Sequence, residues 1–246
     1  MNEPIDLGRC LSFINSQLRP DTNAVMPAEH KPRWRAVTIS RQTGTGSHLV
    51  ADYLAQLLQA HSPEGPGSWM VFDRNLLERV LEDHHLPARL AKFMPEDRIS
   101  GIEDTLDELF GLHPPVWTLV EKTSDTILRL AEFGNVILLG RAGHIITSKM
   151  EHVFHVRLVG SLEARTEFVQ MGRKIDRKTA SELIAHEDAG SRRYVKRYFH
   201  KDIEDPQYYH LVINTPRLGH ANAAKLIAET MLSPSEAAHA LPVAHH

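Results

Sequence analysis

The residues of this chain best suited to chemistry are glycines and arginines placed at the ends of short apolar runs. Val37-Thr38-Ile39 leads into Arg41-Gln42-Thr43-Gly44-Thr45-Gly46-Ser47-His48, after which Leu49, Val50, Tyr53, Leu54, Leu57 and Leu58 recur at helical spacing. Strand, glycine loop and helix in that order make a cradle for an anion. Glycine lets the backbone come close, and the free N–H groups of the first helical turn point at the ligand. Ser47 stands where its side chain would cap that turn. The loop departs from the pattern Gly, four residues, Gly-Lys-Ser/Thr. With Gly46 as the last glycine, Arg41 replaces the first, Ser47 the lysine and His48 the Ser/Thr; with Gly44 as the last, Thr45 falls at the lysine position. A glycine turn that binds nothing is the competing reading of this stretch.

Other polar groups follow other apolar runs. Asp73-Arg74 ends Trp69-Met70-Val71-Phe72, where Asp73 either caps the next helix or faces a ligand. Gly140-Arg141 ends Val136–Leu139, and a buried arginine there needs an anion, either a nearby carboxylate or a bound ligand. Asn214 closes the run Tyr209–Ile213. A basic segment carries Arg173, Lys174, Arg177 and Lys178, then Arg192, Arg193, Lys196, Arg197 and Lys201. On a helix Arg193 aligns with Arg197 and Arg192 with Lys196, so such a pair can clamp a phosphate. A solvated charged helix is the ordinary reading of the run, and RNA contacts aided by Tyr194, Tyr198 and Phe199 are the third.

These groups require five strands to position them: 37–39, 69–72, 136–139, 153–158 and 209–213, separated by helices. That alternation predicts an α/β fold with a five-stranded, mainly parallel sheet flanked by helices. Residues following the strands then collect on one edge of the sheet. Residues 1–33 read as an amphipathic helix (Leu7, Leu11, Ile14 and Leu18 on one face) and a proline-bearing connector. The main domain spans 34–232, with a helical insertion over 87–133 and the basic segment over 173–201. A loosely ordered tail is expected over 233–246.

Composition narrows the class. A length of 246 residues and an ordinary 24% of charged residues suit a soluble α/β protein. The net charge of −3 disfavours a general nucleic-acid binder, and the single Cys10 excludes an internal disulfide or thiolate cluster. No run approaches the ~20 apolar residues of a membrane span, and the start MNEPIDLGR lacks the form of a signal peptide. The expected location is the cytoplasm. The 16 histidines are scattered, with no metal-ligand spacing.

Taken together, ISRQTGTG, VFDR, ILLGRAGHII, RRYVKRYF and YYHLVINT resemble the cytidylate-kinase-like family of phosphate-loop proteins, relatives of the nucleoside-monophosphate kinases, from about residue 35 to 232. The family also commonly lacks the loop lysine. The resemblance implies phosphoryl transfer from ATP with Mg2+, by a nucleoside-monophosphate-kinase-like fold, to a nucleoside monophosphate or similar small acceptor. It assigns Gly44, Thr45, Gly46, Ser47 and His48 to the donor phosphates, with Arg41 taking part of the missing lysine's role. It assigns Gly140 and Arg141 to the acceptor, with Asp73 and Arg74 beside it. Arg192, Arg193 and Arg197 look like lid arginines that close over the transferring phosphate. Arg173 and Asn214 would lie near the donor base. Ala142 stands where the family usually carries an aspartate, which weakens the inference to a cytosine acceptor.

The expected partners are therefore a nucleotide donor and a small acceptor, with the chain a monomer or a homodimer. Two other functions stay open on the sequence: a nucleotide-binding regulator with little catalysis, suggested by His48 and Ala142, and an RNA-binding or structural protein.

Overall fold

The computed structural model describes residues 33–61, 68–73, 102, 105, 106, 109 and 118–233. The expected N-terminal helix, Arg74 with the helix after it, most of 87–117 and the tail from residue 234 lie outside the described residues. In order, the elements are β1 (Ala36–Arg41), α1 (Ser47–His61), β2 (Met70–Phe72), α2 (Thr118–Phe133), β3 (Val136–Leu139), α3 (Gly143–Ile146), β4 (Val153–Val159), α4 (Leu162–Arg173), α5 (Arg177–Phe199), a short 3-10 turn (Pro206–Tyr208), β5 (Leu211–Asn214), α6 (Thr215–Leu218) and α7 (His220–Leu232). The five strands form one sheet in the order β2-β3-β1-β4-β5, with every neighbouring pair parallel. The α/β expectation holds, and "mainly parallel" becomes wholly parallel.

β1, β3 and β4 are buried because helices cover both faces, while the edge strand β5 is only partly covered. On one face Val37 and Ile39 of β1, with Phe154, Val156 and Leu158 of β4, pack against Val50, Leu54 and Leu58 of α1 and Ala224 and Ile227 of α7. The other face carries Ala36, Leu138, Ile127, Leu130, Val195 and Phe199. Ile102, Leu106 and Leu109 of the insertion pack on this second cluster, as their spacing predicts. Each fully buried Leu, Ile or Phe contributes about 1.5–3 kcal/mol by leaving water.

The second face is not wholly apolar. Strand side chains alternate, so Thr38 and Ser40 of β1 point the same way as His155 and Arg157 of β4. All four are buried. A polar strip therefore crosses the middle of the sheet beneath α3 and the segment before β5.

Two turns show why local chemistry fits. Gly134 follows α2 with φ +87° and its N–H donates to Leu130 O at 3.2 Å, a helix stop that a left-handed glycine permits. At α1 the expectation of Ser47 as cap is shifted by one residue. The helix begins at Ser47, and it is Gly46 O that accepts the first helical bond, from Val50 N at 3.1 Å. The basic segment is one helix of 23 residues, about 35 Å long. Its first half packs Ala180 and Ile184 on Val169 of α4, and its second half seats Val195 and Phe199 in the main core.

Candidate phosphate-binding site

Because all strands run one way, the segments after β1, β2, β3 and β5 lie along a single edge of the sheet. At its centre is the loop 42–46. Gly44 and Gly46 have φ of +86° and +70°, which other residues adopt only with strain. Both are also hemmed in. A Cβ on Gly44 would stand 2.6 Å from Arg165 O, and one on Gly46 would collide with the His220 imidazole. Hydrogen bonds to β4, within the loop and from α6 also fix it. Gln42 N donates to Leu158 O at 3.0 Å, Thr45 Oγ1 donates to Gln42 O at 2.8 Å, and Thr215 Oγ1 donates to Thr45 O at 2.8 Å.

The strongest brace is an ion pair that the sequence did not single out. Arg165 of α4 meets Asp188 of α5, Nη1 to Oδ2, at 2.8 Å, both side chains largely buried. Arg165 also donates to Gly160 O at 3.0 Å and to Thr43 O at 2.9 Å. Asp188 Oδ1 accepts from Thr43 N at 2.7 Å. One buried pair therefore grips the loop backbone at Thr43 by both its N–H and its C=O. The sequence signal was Arg165 four residues before Val169, on the face of α4 that turns inward.

A second corner forms where β3 ends. Gly140 (φ +78°), Arg141 (+51°) and Ala142 (+56°) are three successive left-handed residues, of which two carry side chains. Each of those two costs about 1 kcal/mol or more. The turn is held by Gly140 N donating to Ile39 O and Gly143 N donating to Gly140 O, each at 3.0 Å. The Arg41 guanidinium lies directly over Gly140, so a side chain there would collide with it. Arg141 sits 6.0 Å from the Tyr194 ring of α5, and burial raises the Tyr194 hydroxyl above its ordinary pKa, with Arg141 opposing. Such strain persists only where the surrounding structure over-determines it.

The other expected residues divide. Asp73 follows β2 on the same edge, half buried. Asn214 ends β5 beside the Thr215–Thr45 bond, and its Oδ1 is buried with no hydrogen-bond partner. Ser47 is buried, whereas His48 is exposed. Arg192, Arg193 and Arg197 are exposed on α5 and are not drawn onto the loop. Arg192 instead lies 3.9 Å from Glu204, which pairs at 2.8 Å with the buried Arg157; Arg197 stands over the Tyr198 ring at 5.7 Å. Arg173 pairs with Glu187 at 3.4 Å in solvent. It is eight residues beyond Arg165, about 12 Å further along α4, so the structure does not bring it to the loop. His220 stands beside Gly46, and its ring lies 5.2 Å from that of Phe168.

The comparisons with known proteins bear on this geometry. A family model described as the cytidylate kinase-like family matches residues 36–217. The chain belongs to the cytidylate kinase-like family. That membership, with the glycine loop on the sheet edge, makes it a kinase-like nucleotide-binding protein. Among solved structures, an uncharacterized protein from Eubacterium ventriosum is similar at 21% identity, over 81% of this chain and 99% of that one, with a TM-score of 0.63. This likeness shows a shared fold. Shikimate kinase from Bacteroides thetaiotaomicron aligns at 11% identity over 80% of this chain and 98% of that one, with a TM-score of 0.44. No curated protein matches. Among the described residues, no helix is long and apolar enough to cross a membrane.

Proposed function

We propose that this protein transfers the terminal phosphoryl group of ATP to a nucleoside monophosphate or a similar small acceptor. The observation that carries the reading is the pairing of two built corners on one sheet edge: the braced glycine loop, and the strained Gly140-Arg141 turn with Arg41 laid across it. The first offers backbone N–H groups to the donor phosphates. The second offers the Arg141 guanidinium to an anionic acceptor, with Arg41 lying between it and the loop.

The residues present suit a nucleotide. The glycine loop runs into the N-terminus of α1, whose free N–H groups suit phosphates, and the orphaned Asn214 Oδ1 offers an acceptor to a donor group on a base. Among the described residues no three His, Cys, Asp or Glu stand together for a metal. Magnesium arriving with phosphates needs only one or two carboxylates, and it would supply charge neutralisation on the phosphoryl oxygens.

In this reading the protein's work is positioning and electrostatic support. An acceptor oxygen attacks the terminal phosphorus as the bond to the ADP oxygen breaks. Arg141 holds the acceptor, and Arg41, beside the loop, supports the donor side in place of the lysine. Arg192, Arg193 and Arg197, exposed on α5, swing as a lid onto the transferring group; Arg192 must then leave Glu204. Closure also excludes water as a competing acceptor. Turnover measured in Arg141→Ala and Arg193→Ala tests these roles, each expected to lose at least about 100-fold, on the scale of other charge-stabilising groups. Unchanged turnover in both would overturn them.

A second reading, nucleotide binding with little catalysis, is favoured by Ser47 and His48. The residue at the lysine position is short and buried, and the one at the magnesium-hydroxyl position is an exposed imidazole. ATP binding that is insensitive to magnesium and yields no product would support it.

A further inference from the structure

Away from the glycine loop, a cavity of about 230 Å³ opens between Ser148–Glu151, which precede β4, and Gln207–His210, which precede β5. Val153 and His155 form its floor, and Trp34 and His144 its sides. His155 is paired in register with Thr38, three residues before Arg41, so the cavity stands about 10 Å from the start of the loop. It draws on the polar strip of the sheet and on three imidazoles that phosphoryl transfer does not use.

The hydrogen bonds fix the protons. Tyr209 Oη donates to Ile203 O at 2.8 Å, a closer acceptor than Ser40 Oγ at 3.3 Å. The contact of Tyr209 Oη with His144 Nε2 at 3.0 Å therefore requires the proton on Nε2, which leaves His144 Nδ1 an acceptor. His210 Nδ1 accepts from His155 N at 2.9 Å, so a neutral His210 carries its proton on Nε2 and is a donor. His155 Nδ1 is engaged with Thr38 Oγ1 at 2.8 Å, leaving Nε2 for the cavity. Three nitrogens with a known or available hydrogen-bonding role thus remain, on rings stacked near 5 Å: His155 on His210 at 5.1 Å and His144 on Tyr209 at 4.7 Å.

Charge then selects the ligand class. Burial, with His155 and Arg157 adding repulsion, lowers the His144 pKa to about 3; burial, with His210 adding repulsion, lowers that of His155 to about 3. Burial and Arg33 also lower that of His210. The rings are therefore neutral at physiological pH. Glu151 on the wall repels a phosphate, and Arg33 is taken up over the Trp34 ring at 4.6 Å. No three potential metal ligands converge among the described residues. Size allows a small flat molecule, since an apolar cavity of about 150 Å³ already holds benzene.

We propose that this cavity binds a neutral, flat heteroaromatic ligand of one or two fused rings, a nucleobase or base-like heterocycle, through the edges of His144, His155 and His210. The site is independent of the phosphate edge and does not rest on phosphoryl transfer. The test is a titration of the intact protein with adenine, cytosine and unsubstituted purine, followed by the histidine ring signals in nuclear magnetic resonance. Ribose 5-phosphate and inorganic phosphate serve as controls. Saturable shifts of the three rings at millimolar or lower base are expected, without response to the phosphates and without competition by ATP. Ser148→Trp and Gln207→Trp, at exposed rim positions, are each expected to weaken binding at least about tenfold while ATP binding persists. No response to any base, displacement by ATP, or full binding in both rim variants would overturn the proposal.

Discussion

Replacing Asp188 by alanine removes a carboxylate that does two jobs, and the structure sets the size of the effect. Its loss leaves the Arg165 guanidinium, 8% exposed, without its counter-ion, and leaves Thr43 N without its acceptor. Breaking a buried ion pair from one side costs about 3–5 kcal/mol. Arg165 keeps its bonds to Gly160 O and Thr43 O, which places the expected loss near the lower bound, about 3 kcal/mol. For a domain of this size that is a fall of about 6–12 °C in melting temperature. The double variant Asp188→Leu with Arg165→Met replaces the pair by apolar groups and should recover most of the stability. It should not recover nucleotide binding, because Thr43 is no longer gripped. The assay is thermal unfolding with and without ATP and magnesium, in which the ATP-dependent rise reports loop integrity. A melting temperature for Asp188→Ala within about 1 °C of the parent, or a full ATP-dependent rise in the double variant, would refute the brace.

Gly44→Ala places a side chain at φ +86° and 2.6 Å from Arg165 O; thermal unfolding should show a loss of at least about 1 kcal/mol together with a reduced ATP response. Gly190→Ala, in the middle of α5 with nothing near its added methyl, should instead raise stability by about 0.5–1 kcal/mol in a denaturant melt. Acid should destabilise the fold through His144 and His155. Their folded pKa values, lowered from 6.5 to about 3, mean that the unfolded chain takes up protons first as pH falls below 6.5. Their contribution is thus present above 6.5 and is lost progressively down to about 3, at about 1.4 kcal/mol per pH unit for each ring. Urea melts between pH 7 and 5 should show this slope, reduced by one ring's share in His155→Asn; an unchanged slope in that variant would contradict the assignment.

Much of the fold was readable because its signals are local. Apolar β-branched runs such as Val136–Leu139 can only be buried strands here, and Gly134 stops α2 as its type predicts. Arg41 and Gly140-Arg141 were legible as candidates because each follows such a run. Their contact with one another was not, since it depends on the neighbouring placement of β1 and β3 in the sheet. The Arg165–Asp188 brace was hidden for the same reason: it joins two helices whose separate patterns read as a helix face and a scattered acid. The run 153–158 was legible as a strand, but the burial of its polar His155 and Arg157 was not, since it depends on how the sheet is covered. Arg173, expected near the donor base from the resemblance, stands at the end of α4 in a solvent-exposed pair with Glu187.

The most direct measurement of the central claim is product formation from ATP and magnesium with CMP, dCMP, UMP, AMP and GMP in turn, beside a control without acceptor. The account predicts a nucleoside diphosphate from at least one of them, at a rate well above the control, and abolished by Arg141→Ala. No diphosphate from any acceptor, while ATP still raises the melting temperature, would contradict phosphoryl transfer to a nucleoside monophosphate.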